Sequence, residues 1–261
     1  MYSLEHKKYL KNLKHENIFV RCMQLLIIVS FLVIWQLLAN LNIINTFIFS
    51  SPKNVINTII NLQKTNNLYI HIYTTIYEAI IGFSLGTVLG ILFATILWWY
   101  RLLAKIIDPY LTILNSLPKV ALGPILIIWA GSGVKSIIIM TLFISVIITT
   151  INVYQGFNEI DSNKIKLMKS FRATKLQIYS KLIMPGSLLI ILSAVKVNVS
   201  MSLIGVIMGE FLVSKKGIGY LIMYGSQVFN LNLVITGIII LCVVAAIMYY
   251  IVLYIEKRLL N

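Results

Sequence analysis

Residues 166–185 read KLMKSFRATKLQIYSKLIMP, with five Lys or Arg and no carboxylate, in a chain that is otherwise mostly apolar. Within the stretch, Thr174-Lys175-Leu176-Gln177 has the form of a capping box, in which the Thr hydroxyl accepts from the third helical N–H and Gln177 reaches back to the cap. A helix is therefore expected to start at Thr174. Ahead of it, Ile165, Leu167, Met168 and Phe171 fall on one side of a helical wheel, and Lys166, Lys169 and Ser170 on the other. That spacing predicts a second, short amphipathic helix. Two helices joined at Arg172-Ala173 form a shaped cationic elbow rather than a slack linker, and what it holds depends on where it sits.

The chain has 261 residues, 59% hydrophobic and 11% charged, with a mean hydropathy of +0.91. Soluble domains are nearer half apolar, so the composition predicts an all-α, polytopic membrane protein. A formal charge of +14 could point to nucleic acid, but the basic residues lie between apolar spans rather than on one face. Nucleic acid is not an expected partner. Cys22 and Cys242 both fall in apolar runs far apart in the chain, which argues against a disulfide framework or metal site and for simple packing. The first apolar run follows a basic segment as a signal sequence would, yet it is as long as a full span and lacks a small-residue exit, so it reads as a retained anchor.

About twenty apolar residues cross a bilayer core, and six spans emerge on that ruler: roughly 22–41, 79–99, 108–130, 135–154, 187–209 and 231–254. With the amino terminus inside, fifteen Lys or Arg fall in cytoplasmic segments and five (Lys53, Lys64, Lys135, Lys215, Lys216) outside, which orients the chain by the positive-inside rule. Both termini and the loop at about 155–186 are then cytoplasmic. Residues 1–50 hold the amino terminus and first anchor, and 51–261 the main body. Ser51-Pro52 and the polar run from Lys64 to Asn67 mark a short external helix and loop with no evident chemistry. Gly82, Gly86, Gly90 and Ala94 form a small-residue ridge that lets another helix approach closely in lipid. Pro118, Gly123 and Pro124 interrupt the third span, which is tolerable only where protein or water satisfies the freed carbonyls.

Gly131-Ser132-Gly133-Val134-Lys135-Ser136 is the only stretch resembling a phosphate loop, and it lacks the required glycines at Trp129 and Val134. The eight carboxylates are not spaced as metal or acid/base pairs with His6, His15 or His71, so neither a catalytic cluster nor a metal site is expected. Lys119, Lys196 and Glu210 are ionisable groups within spans, where a charge costs about 2.5–3.5 kcal/mol or more unless paired or wet. They are candidate pathway or gate residues. The alternative is that the lysines pair with carbonyls or snorkel and that Glu210 ends the fifth span at the interface.

Further stretches fall into a familiar order. Leu182-Ile183-Met184-Pro185 follows Arg172 after nine residues, and upstream lie Ser51-Pro52, Gly82-Phe83, Leu117-Pro118-Lys119-Val120-Ala121 and Trp129 before Gly131-Ser132-Gly133. Lys196, Glu210, Gly217-Ile218-Gly219-Tyr220-Leu221 and Glu256-Lys257-Arg258-Leu259 complete it. From about residue 50 to 260 the chain resembles the inner-membrane permease subunits of binding-protein-dependent ABC importers, in their sulfonate, nitrate, taurine and thiamine-precursor branch. In that family the elbow has the form E-A-A-x-x-x-G, where this chain has Lys166-Leu167-Met168 and, for the glycine, Arg172. Glu78 likewise stands where the branch usually has arginine.

The resemblance implies a type I-like transmembrane domain in a bacterial plasma membrane, working as a homodimer with two ATPase subunits and an external solute-binding protein. ATP and magnesium would be bound by the ATPase, leaving this chain without cofactor or catalysis. The elbow would be a coupling helix, with Ile165, Met168 and Phe171 in an apolar groove of the ATPase and Lys166, Lys169, Ser170, Arg172, Ala173 and Thr174 completing the contact. The solute would be a small polar organic molecule or oxyanion. Against this stand a secondary carrier or channel, and for the elbow alone a cationic helix lying on anionic lipid. No second copy of the Pro118–Pro124 break or of the elbow is evident, as the inverted repeats of many carriers would require.

Overall fold

The computed structural model describes residues 4–65 and 67–260. The side chains of Lys7, Lys8 and Lys11 in the charge count, and of His6 and Leu259, lie outside the described residues, as does Asn66. Every regular element among the described residues is helical. Helix α1 (Leu4–Asn40) joins the basic amino-terminal segment and the first apolar run in 37 continuous residues. After α2 (Thr46–Phe49), α3 (Pro52–Lys64) begins at Ser51, whose hydroxyl accepts from Asn54 N–H, with Pro52 where no helical N–H is needed.

Helix α4 (Asn67–Trp99) starts a dozen residues earlier than the hydropathy ruler placed it. Its early turns carry His71, Thr75 and Glu78, which lower the hydropathy but continue the buried stripe of Ala79, Gly82, Gly86, Gly90 and Ala94. At 33 residues it is about 50 Å long, well beyond a hydrocarbon core of about 30 Å. The third span is not straight. It is α5 (Arg101–Ser116), a 3₁₀ turn at Lys119–Leu122 and α6 (Gly123–Ala130), with a bend of 92°. Pro118 forces Leu117 into extended backbone (φ −65°, ψ 138°), which ends α5.

Next come α7 (Val134–Asn158), α8 (Ser162–Ser170), α9 (Lys175–Ile178), a π-helical turn at Tyr179–Ile183, α10 (Met184–Gly186), α11 (Leu188–Val213), α12 (Ile218–Gln227) and α13 (Leu231–Leu260). Among the described residues five helices (α1, α4, α7, α11, α13) are long and apolar enough to cross a membrane, or six if the bent α5–α6 pair is one broken span. The π turn directly precedes Pro185, which has no N–H to give the preceding turn and whose ring crowds it.

The centre is α4, α7 and α11. Gly82, Gly86 and Gly90 lie directly against Thr141, Ser145 and Thr149 of α7, and Gly205 and Gly209 of α11 lie against Thr141 and Ile137. One apolar cluster (Ala79, Ile137, Val206, Ile218, Val244) fills the end away from the elbow, and another (Ala94, Val153, Phe157, Ile178, Ile183) lies beneath the elbow. By contrast α1 is peripheral, with Leu25, Ile27 and Phe31 all exposed and Gln36 accepting from Lys53 N–H of α3 at 3.0 Å. Cys22 and Cys242, expected to pack, lie exposed on α1 and α13, because the outer surfaces of both helices are left for lipid.

The glycines differ in what they approach. A methyl at Gly205 would sit 2.6 Å from the Thr141 Cα, a backbone atom, whereas at Gly82 it would meet the Thr141 side chain, which can rotate. Gly205→Ala is expected to lose about 1–3 kcal/mol and Gly82→Ala clearly less. Thermal unfolding in detergent checks this, and equal shifts would mean that α11 and α7 can separate at little cost.

Candidate functional site

The elbow is built from paired caps. Asp161 starts α8 by accepting from Asn163 N–H at 2.8 Å. At its other end Ala173 N–H donates to Met168 O (3.0 Å) and Arg172 N–H to Lys169 O (2.9 Å), the two bonds of a Schellman motif. Arg172 takes the left-handed position, with φ +53°. That conformation costs an L residue about 1–2 kcal/mol, which explains in physical terms why a glycine would suit this place. The chain then enters the capping box at once: Thr174 Oγ1 accepts from Gln177 N–H (3.3 Å) and Gln177 Oε1 from Thr174 N–H (2.8 Å).

Ile165, Met168 and Ala173 turn inward and pack on the cluster containing Val153, Phe157, Ile178 and Ile183. Ile165 and Met168 are half-buried there, so part of the apolar face of α8 holds the elbow to the chain's own core. Phe171 remains 76% exposed, beside Leu167 at 56% and Leu176 at 64%. Lys166, Lys169, Ser170, Arg172 and Thr174 are exposed around them. Tyr179 ties the elbow to α4 through a 2.8 Å hydrogen bond between its hydroxyl and Thr95 Oγ1, and Lys175 donates its ammonium to the Trp99 carbonyl.

The three candidate pathway residues are not together. Lys119 sits at the bend after α5, half-buried, with its ammonium donating to Asn115 O (2.7 Å) and Asn115 Oδ1 (3.2 Å). Lys196 of α11 is partnered by Glu256 of α13 at 2.9 Å, a carboxylate the sequence had placed in the tail. This is an interhelical tie rather than an open cationic group. Glu210 is 1% exposed and lies at the opposite end of the molecule from the elbow.

Glu210 fastens the start of α12. Its Oε2 accepts from Gly219 N–H at 2.5 Å, and its Oε1 from the Thr75 hydroxyl at 2.6 Å. Thr75 Oγ1 in turn accepts from Ile218 N–H (2.8 Å), and His71 Nδ1 from Gly217 N–H (2.9 Å). The unpaired donors of a helix N-terminus are thus met by side chains of α4 and α11, and the carboxylate also lies favourably in the helix dipole. Gly217 must be glycine: its φ is +108°, and a Cβ would collide with the Glu210 carboxyl. Tyr220 stacks on His71 with centroids 5.8 Å apart. Glu78 adjoins Glu210 and is fully buried, and its oxygens meet no donor other than the neighbouring Glu210 carboxyl.

His71 and Thr75 were not singled out by the sequence, which had left them in an external loop, and Glu78 was noted only as standing where the resembled branch usually has arginine. A signal was present, because the helical face of the glycine ridge continues backward from Gly82 by three residues to Ala79 and then by four each to Thr75 and His71.

The family model for the binding-protein-dependent transport system inner membrane component matches residues 86–261. The chain belongs to this family. It is similar to a probable ABC transporter permease protein of Haemophilus influenzae, with 29% identity over 226 residues, covering 87% of this chain and 91% of the relative. A putative aliphatic sulfonates transport permease, SsuC, of Bacillus subtilis is 28% identical over 228 residues (87% and 83% covered). A formylaminopyrimidine transport permease, ThiX, of Halalkalibacterium halodurans is 28% identical over 189 residues (72% and 75% covered). Inward-facing structures of the MetNI methionine ABC transporter share the fold, with a TM-score of 0.60 at 19% identity over 72% of this chain and 91% of the other.

The protein is therefore a multi-pass inner-membrane permease subunit of an ABC importer, a class that works with ATPase and solute-binding partners. In this permease Gly217 and Gly219 have a mechanical explanation, since they make room for Glu210. Glu78 is the strained member, because it is buried beside a second carboxyl that already has its own donors in Thr75 and Gly219. Glu78→Gln is expected to raise the melting temperature by removing one of two adjacent carboxylates and adding a donor. Glu210→Gln, which weakens the α12 contact, should lower it. Opposite signs in a detergent melt support this assignment of roles; a drop for both would mean that Glu78 has a partner.

Proposed function

We propose that the chain forms, as a homodimer, the translocation pathway of an importer for a small polar organic solute or oxyanion, of the sulfonate or thiamine-precursor kind. Movement is driven by two ATPase subunits that bind ATP and magnesium, while this chain carries no cofactor and catalyses no reaction. A solute-binding protein delivers the solute from outside. Both termini and the elbow face the cytoplasm in this reading, which the excess of Lys and Arg in those segments supports.

The observation that carries this reading is the elbow. Its inner face is packed on the core cluster under α7 and α11, and its outer face presents Phe171, Leu167 and Leu176 in a cationic frame. Such a surface suits an apolar groove with an acidic rim. Because Tyr179 and Lys175 join it to α4, a displacement of the elbow would be passed to the spans rather than absorbed. The class of solute rests on the similarity to SsuC and ThiX. Lys119 adds a consistent feature: its charge is held by its own turn and not neutralised by a carboxylate, leaving positive potential on the exposed side of the bend.

Phe171→Asp puts a charge where an apolar contact is expected and costs on the order of several kcal/mol in a closed groove. The ATPase should then be lost on copurification while membrane insertion is kept; retention of an unchanged amount would remove Phe171 from the interface. For the solute, the importer reconstituted with its own binding protein and ATP should accumulate an alkanesulfonate or an aminopyrimidine. Lys119→Met should sharply reduce transport of the anion but hardly affect a neutral pyrimidine, with ATPase binding intact in both cases. Accumulation of amino acids or metal ions instead would refute the solute class and leave the family membership untouched.

A further inference from the structure

We propose that the permease holds the phosphodiester headgroup of an anionic phospholipid in a cationic pocket between the α4–α5 corner and the elbow. The pocket has a volume of about 350 Å³, within the range of small-ligand sites (about 300–1,000 Å³). Arg101, Lys169 and Lys175 line it, with Trp98 as a wall and Ile165 and Ile178 contributing its apolar side. No carboxylate is among the lining residues.

The positive charge there is uncompensated. Among the described residues the single ion pair is Lys196–Glu256, so none of the three cations has a carboxylate within salt-bridge distance. The nearby acids are engaged or elsewhere: Asp161 caps α8, and Asp108 and Glu159 line a separate hollow with Tyr154 and Gln155. Lys175 spends one donor on the Trp99 carbonyl and lies 5.2 Å from the Trp99 ring centroid, which leaves two of its three N–H groups. Arg101 and Lys169 make no side-chain hydrogen bond among the described residues. Three convergent cations with unused donors fit a phosphate oxyanion, whose acceptors are the natural match.

Two further features favour a lipid over a soluble phosphate. The pocket lies at the end of a membrane-crossing helix marked by Trp98, Trp99 and Tyr100, the aromatic residues of a membrane–water interface, where basic pockets take lipid headgroups. On the same corner an apolar groove of about 320 Å³ runs between α4, α5 and α7, lined by Phe93, Ile96, Leu97, Leu103 and Ile107. It begins within a turn of Trp98 and Arg101 in the chain. A charged head site beside a groove that suits an acyl chain matches a phospholipid in both its parts. The site needs neither the orientation nor the ATPase contact proposed above.

The chain has four Trp, so Trp35→Phe and Trp129→Phe leave Trp98 and Trp99 as reporters at the pocket. The full-length permease in this background, placed in nanodiscs, is titrated with phosphatidylglycerol or phosphatidylcholine brominated on the acyl chains, and Trp quenching is read. Half-maximal quenching should need at least about fivefold less phosphatidylglycerol, the order expected from even one cation at an anionic surface. Arg101→Gln with Lys169→Gln should abolish the preference, and the exposed Lys169→Gln alone should reduce it, which keeps the test decisive if the double variant misfolds. Lys166→Gln with Arg172→Gln removes elbow charge outside the pocket and should leave the preference intact. Equal quenching by the two lipids, or an equal loss in both double variants, would overturn the site. Loss of the preference on adding inorganic phosphate would assign the pocket to soluble anions, and its loss on adding the partner ATPase would assign those cations to the protein interface; either would overturn the lipid.

Discussion

Three helix backbones come into near contact at the centre of the permease, where Gly82, Gly86 and Gly90 of α4 and Gly205 and Gly209 of α11 close on α7. In lipid there is no hydrophobic gain from bringing apolar helices together, so association rests on close van der Waals packing and on polar groups that satisfy one another. Glycine provides the first by removing the side chain between backbones. It also brings Thr141, Ser145, Thr149, Asn198 and Ser202 into the shared interior, where all are fully buried and the Ser145, Thr149 and Ser202 hydroxyls have no hydrogen-bond partner among the described residues. Asn198 Nδ2 reaches Thr87 Oγ1 at 2.8 Å across that interface. The more peripheral helices, α1 and α13, need no comparable precision and leave most of their surface to lipid.

Both ends of the molecule are attached to these three helices. Away from the elbow, α12 is secured through its N-terminal N–H groups to His71 and Thr75 of α4 and to Glu210 of α11. At the elbow end, Ile165 and Met168 rest on a cluster shared with α7 and α11, and Tyr179 bonds to α4. Polar side chains bound to backbone groups make such attachments directional and stiff. The permease tolerates two local costs to build them: the left-handed Arg172 and the Glu78 carboxyl buried against that of Glu210.

Much of this was written locally in the chain. The capping box at Thr174, the break at Pro118, the glycine ridge of α4 and the six apolar segments all depend on residues within a turn or two of each other, or on the length of an apolar run. Short-range chemistry of that kind is legible without knowing the partners. The joining of two short helices into an elbow followed from the same rules.

What only the tertiary structure decided is which groups meet. Lys196 and Glu256, 60 positions apart, pair across α11 and α13, and Glu210 finds Thr75 from 135 positions away. Ile165 and Met168 turned inward because the cluster beneath the elbow offered them burial, a fact absent from the periodicity of α8 itself. The polar start of α4 looked like an external loop for the same reason: a hydropathy ruler registers His71, Thr75 and Glu78 as costs. Their compensation is a helix N-terminus near residue 218, and only the folded chain brings it to them.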